Sequence, residues 1–171
     1  MCQADLYESR GADAWSRFGA RWPQVRRSIL LRVQAVRIET LHLRARAALG
    51  ASGGARGTER ERLLETAAHD AERLERERMP WALALAALVR AGVDHRRGLL
   101  DRAAAGLRRG IAAATDTDLR GYAAAGRRAL GGLVGGDEGA SLVREADGWF
   151  RAAGGRRPER LADMLVPGFT S

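Results

Sequence analysis

The chain has 171 residues, 46% of them hydrophobic but only 5% aromatic, and a formal charge of +8. That length suits a single domain able to bury roughly two-thirds of its unfolded surface, and an Ala-rich, aromatic-poor composition favours packed helices over sheets. Every one of the 29 basic residues is Arg, so the phosphate-contacting lysine of a kinase or a P-loop cannot come from these residues.

The single cysteine, Cys2, excludes an intramolecular disulfide and fits a reducing compartment. The N-terminus MCQADLYESRG lacks the apolar core of a signal peptide, and no stretch approaches the ~20 apolar residues that span a bilayer. A cytoplasmic protein without a membrane partner is expected. A basic chain could attract nucleic acid, but the complete absence of Lys points to coding bias more than to a selected basic patch.

In chain order, residues 2–9 read as a short helix bearing Leu6 and Tyr7. Trp15, Phe18 and Trp22 lie at i, i+3, i+7 on one apolar face that Pro23 is expected to close. A long helix over about Gln24–Leu49 follows, with Ile29, Val33 and Val36 as one stripe and Leu30, Leu41, Ala45 and Leu49 on adjacent faces. GASGGARG at 50–57 is a flexible linker. Thr58 with Glu61 has the spacing of a capping box, opening a helix whose seam is Leu63, Leu64, Ala67, Ala71 and Leu74 and whose Glu and Arg residues pair at i,i+4.

The stretch ERERMPWALALAALVRAG, residues 75–92, predicts the inner turn of a helical hairpin. A charged helix ends near Met79, and Pro80 opens an almost uncharged helix led by Trp81. Further helices are predicted over about Leu99–Ala114, Asp118–Val134, Asp137–Ala153, with Asp137 as cap, and from Pro158 to the Pro167-Gly168 stop. Gly11, Gly57, Gly98 and Gly136 each precede a new hairpin. Their spacings of 46, 41 and 38 residues fall in the range of helix-pair repeats. The expected architecture is all-α: a tetratricopeptide-like α-solenoid of about four stacked hairpins, divided 1–57, 58–97, 98–135 and 136–171, in one continuous repeat domain.

The stretches SILLRVQAVRIETLHLRARAALG, AERLERERMPWALALAALVRAG, YAAAGRRALGGLVGGDEG and ADGWFRAAGGRRPERLADMLVPGF resemble the C-terminal helical region of large bacterial serine/threonine protein kinases of the myxobacterial type. The Arg78-Met79-Pro80-Trp81 turn and the ending from Pro158 to Phe169 are the more specific parts. The resemblance implies a sensor or partner-binding region, with any kinase activity on another segment. Within this chain there is no glycine-rich nucleotide loop or Asp-Phe-Gly triplet, and in Asp94-His95-Arg96-Arg97 the Asp that a catalytic loop needs after Arg is Arg97.

The candidate chemistry is sparse. Glu39 and His42 have E-x-x-H spacing, but a di-iron bundle needs two such pairs and two more Glu, and Glu65 with His69 is spaced differently. Gly131–Gly136, GGLVGG, lacks the strand and Lys of a phosphate loop. The Arg pairs 26–27, 96–97, 108–109, 127–128 and 156–157 could form an anionic-ligand groove only by converging, and adjacent helical residues point about 100° apart. Trp15, Trp22, Trp81 and Trp149 are expected to pack between repeats, with an aromatic partner pocket as the other reading.

These residues predict a non-catalytic protein-interaction or regulatory module with no cofactor and no metal. Trp15, Trp22, Pro80, Trp81, Trp149, Arg127 and Arg128 are its partner-binding candidates, and the inner helices line its binding face. A protein partner, an upstream kinase domain or a second copy would be bound. The competing expectation is an Arg-rich nucleic-acid-binding or transcription-regulatory helical module.

Overall fold

A computed structural model describes residues 2–169, and among these residues the chain is all-helical with no strand. The helices are α1 (Cys2–Tyr7), α2 (Gly11–Arg27), α3 (Gln34–Ser52), α4 (Gly57–Arg76), α5 (Pro80–Arg96), α6 (Leu100–Asp116), α7 (Arg120–Val134), α8 (Gly136–Ala152) and α9 (Pro158–Leu165), with a 3-10 turn at Ile29–Arg32. None of them is long and apolar enough to cross a membrane.

Short corners set the order. Four of them share one backbone pattern: Arg10 N–H donates to the Asp5 carbonyl and Ser9 N–H to that of Leu6, and the same pair of bonds recurs at Asp94–Leu99, Ala114–Leu119 and Phe150–Gly155. This doubled closure satisfies helix-end carbonyls and needs a residue with positive φ. That residue is Ser9, Gly98, Asp118 and Gly154, with φ between 57° and 87°. Each helix then turns back against the one before it, and alternate helices also meet, α1 with α3, α3 with α5 and α7 with α9.

Pro23 does not close α2. The helix runs through it to Arg27, because the carbonyl it leaves unpaired belongs to Gly19, and both residues face solvent, where water replaces the missing N–H. The break comes at Ser28, whose extended backbone starts the 3-10 turn and whose hydroxyl accepts the Leu30 N–H at 3.1 Å. Ile29, Val33 and Val36, expected as a buried stripe, are consequently exposed. Neither Thr58 nor Asp137 caps its helix; α4 and α8 begin without a side-chain cap bond. Among the described residues one α4 carboxylate keeps the expected i,i+4 pairing, Glu72 with Arg76 at 3.9 Å. Glu61 pairs with Arg97 and Glu75 with Arg90, both on or just past α5, so they join two helices instead of stabilising one.

The core has two main parts. Ile38, Leu41, Leu49, Leu64, Leu74 and Leu85 pack where α3, α4 and α5 meet. Leu88, Leu107, Leu130, Phe150 and Val166 pack where α5 to α9 meet. Burying each such side chain stabilises the fold by about 1.5–3 kcal/mol. The α7–α8 crossing is close enough that a Cβ on Gly139 would lie 2.3 Å from the Gly131 carbonyl oxygen; in GGLVGG packing thus accounts for Gly131, and positive φ for Gly135 and Gly136.

Candidate interaction surface

One face of α3 carries polar residues. Glu39, His42 and Arg46 stand at i, i+3, i+7, with Glu39 exposed and the other two buried. His42 is buried with its ring 5.3 Å from that of Tyr122 on α7. Burial, reinforced by the Arg46 charge, holds its pKa well below the usual histidine value, so the neutral imidazole is the folded form. Arg46 is also buried. Its Nη1 donates to the Met164 carbonyl of α9 at 2.9 Å, while Nε and Nη2 have no partner among the described residues. Burial lowers its pKa too.

α9 meets this face through the Arg46 bond, and the residues after it lie against α5. His95 Nδ1 is 2.7 Å from the Gly168 carbonyl oxygen, and the His95 and Phe169 rings stack 4.8 Å apart. Gly92 lets the backbone of Pro167 approach α5: a Cβ there would be 2.8 Å from the Pro167 carbonyl oxygen. Arg160 reaches Glu8, just past α1, at 2.8 Å. Asp163 is half-buried, and burial raises its pKa against the pull of Arg128. A cavity of about 230 Å³ opens beside it, walled by His95, Leu100, Arg128, Leu133 and Phe169. Here two main-chain carbonyls of a short segment are held by side chains of α3 and α5.

The residues singled out from sequence do not converge. Trp15 packs at the edge of the α3–α5 core, and Trp81 does so from α5. Trp22 stacks on Phe18 and lies under the Arg44 guanidinium, 4.4 Å from its ring centroid. Trp149, expected inside, is partly exposed and meets Phe150 edge-on. Pro80 is exposed at the start of α5. Arg127 and Arg128 both turn to α8, pairing with Glu145 at 3.4 Å and Asp147 at 2.9 Å. Of the five Arg pairs, Arg97 and Arg109 line one cavity with Arg90 and Arg102, while Arg127 and Arg128 are taken by the α8 carboxylates. Glu39 is at the surface while His42 is buried, and Glu65 and His69 are exposed on α4; among the described residues no three metal-ligating side chains cluster.

Sequence reasoning missed the buried ions. Asp70 on α4 is fully buried, with Arg44 at 3.1 Å and Arg73 at 3.8 Å. Burial still pushes its pKa up to about 6 and lowers that of Arg44. The two shifts agree that desolvation outweighs the pairing. Arg37 grips Glu77 through two parallel bonds, Nε to Oε1 at 2.5 Å and Nη2 to Oε2 at 2.6 Å, fastening the start of α3 to the α4–α5 turn.

No family model matches this chain, and neither does any curated protein or solved structure.

Proposed function

We propose that this chain is a tetratricopeptide-like stack of about four helical hairpins that serves as a non-catalytic protein-interaction or regulatory module in the cytoplasm. The observation that carries the reading is that alternate helices also meet, α1 with α3, α3 with α5 and α7 with α9, the relation that stacked helix pairs produce. The way Arg46 and His95 hold the carbonyls of Met164 and Gly168 supplies a template for how a partner segment would be held. Following the resemblance of the Arg78–Trp81 turn and the Pro158–Phe169 ending, the partner is an upstream serine/threonine kinase domain or a protein in its signalling chain, with self-association as a further mode.

The competing reading, an Arg-rich nucleic-acid-binding module, has one observation in its favour: no Asp or Glu occurs from Ala14 to Ile38, while Arg17, Arg21, Arg26, Arg27, Arg32 and Arg37 do. Light scattering on the purified chain at low and high salt, with nucleic-acid absorbance recorded, separates the two. A nucleic-acid-free species whose mass is unchanged by salt supports the interaction module. Nucleic acid that copurifies and is released only by high salt replaces it with the other reading, since phosphate contacts weaken steeply with salt.

A further inference from the structure

The corner between α2 and α3 is unlike the rest of the surface. Ile29, Leu30, Val33 and Val36 are 70%, 59%, 53% and 37% exposed, within eight residues of chain. None of the four residues of the 3-10 turn is buried, and among the described residues the turn packs chiefly against α2 and α3, the helices that flank it. The apolar side chains thus project from a corner instead of lining a groove.

The charge around them has one sign. Arg21, Arg26, Arg27 and Arg32 are exposed, and among the described residues none of them makes an ion pair. Arg17 is taken by Asp5 at 2.8 Å, and Arg37 by Glu77. Glu77 is the carboxylate that reaches this corner from the α4–α5 turn, and Arg37 together with Gln34 occupies it.

Three occupants compete for such a corner. A nucleic acid would use the arginines, but binding through phosphates gives no reason for four exposed aliphatic side chains beside them, and a convex corner places no helix or strand in a groove. A protein partner or a second copy needs ~800 Å² per side and a complementary surface, whereas four aliphatics on a protruding turn offer a small convex knob. An anionic bilayer surface suits both features: apolar side chains enter the acyl boundary while Arg side chains stay with the headgroups, without any matching shape.

We propose that the Ser28–Val36 corner is a peripheral docking site for anionic lipid surfaces, with Ile29, Leu30 and Val33 as the inserted side chains and Arg26, Arg27 and Arg32 as the headgroup contacts. The site is separate from the Arg46 and His95 contacts and does not depend on them. Surface contact of this kind needs no spanning helix, and none of the described helices is long and apolar enough to cross a membrane.

Sedimentation of the full chain with vesicles of phosphatidylcholine alone, and of phosphatidylcholine mixed with phosphatidylglycerol, tests it. Binding is expected to the mixed vesicles only and to weaken as salt is raised. The triple variant Arg26→Gln, Arg27→Gln, Arg32→Gln should lose roughly a hundredfold in affinity, and the double variant Ile29→Ser, Leu30→Ser should lose binding while melting like the parent, since both positions are exposed. Equal binding to neutral vesicles, no binding, or unchanged binding by either variant overturns the proposal. A vesicle-free dimer that the double variant dissociates assigns the corner to a second copy, and displacement from vesicles by a random-sequence oligonucleotide that the double variant binds equally well assigns it to nucleic acid.

Discussion

The Arg46 guanidinium donates to the Met164 carbonyl at 2.9 Å and spans 118 residues of chain. This single bond is a poor return for a buried charge, because two of the three guanidinium nitrogens have no partner among the described residues. Replacing such a group with an apolar side chain of similar volume is often neutral or stabilising. Arg46→Met should therefore melt at or above the parent temperature, whereas Arg46→Ala, which leaves a cavity, should lose about 2–4 kcal/mol. Equal losses in both variants, measured by denaturant unfolding, would show that the charge is needed and that an anion meets it.

Asp70 makes stability depend on pH. Its folded pKa of about 6 lies above the ordinary 3.8, so its contribution is full below pH 3.8 and fades as pH rises through about 6, a range worth about 3 kcal/mol. His42 acts oppositely: its folded pKa is depressed, so its contribution is present above 6.5 and is lost as pH falls. Comparing Asp70→Asn with the parent isolates the first effect. The unfolding free energy of the Asn variant should gain on the parent by about 2–3 kcal/mol between acid and neutral pH; parallel pH profiles would refute the burial argument.

Gly11 sits where α2 crosses the end of α3, and a Cβ on it would be 2.2 Å from the Gly50 carbonyl carbon. Backbone cannot swing aside as a side chain can. Gly11→Ala should cost about 2–3 kcal/mol. Gly19→Ala in the same helix, with nothing within 4 Å of the new Cβ, should instead stabilise by up to ~1 kcal/mol. Chemical denaturation of the two variants reads the contrast directly.

Arg78 holds φ of 54° in the turn before Pro80, a conformation that costs a side-chain-bearing residue about 1–2 kcal/mol. It is exposed and forms no side-chain bond among the described residues. Arg78→Gly should raise stability by roughly 0.5–1 kcal/mol once the added freedom of the unfolded chain is subtracted. Gly98→Ala, at φ of 77°, should lower it by a similar amount; calorimetric melting checks both.

Local punctuation was readable from the chain. Pro80 and Pro158 open α5 and α9, and helices α4 and α8 start at Gly57 and Gly136, both at positive φ, because these residues act through their own backbone. Pro23 misled, since its effect is decided by whether the Gly19 carbonyl meets water, which depends on packing. The ions Asp70, Arg44 and Arg46 were unreadable for the same reason: a charged residue in a helical pattern looks solvated until a neighbouring helix covers it. The inward placement of α9 was also invisible, because Met164, Gly168 and Arg160 meet partners 118, 73 and 152 positions away.

The Glu8–Arg160 contact has a kinetic corollary. Hairpins α4/α5 and α6/α7 close loops of a few residues and can form early, whereas joining α1 to α9 must overcome the loop entropy of nearly the whole described chain. The small cluster of Leu6, Ala14 and Ala47, which Met164 covers, is therefore completed last during folding. It is also where transient opening should begin, so amide hydrogens of α1 and α9 should exchange ahead of those in α3 to α5.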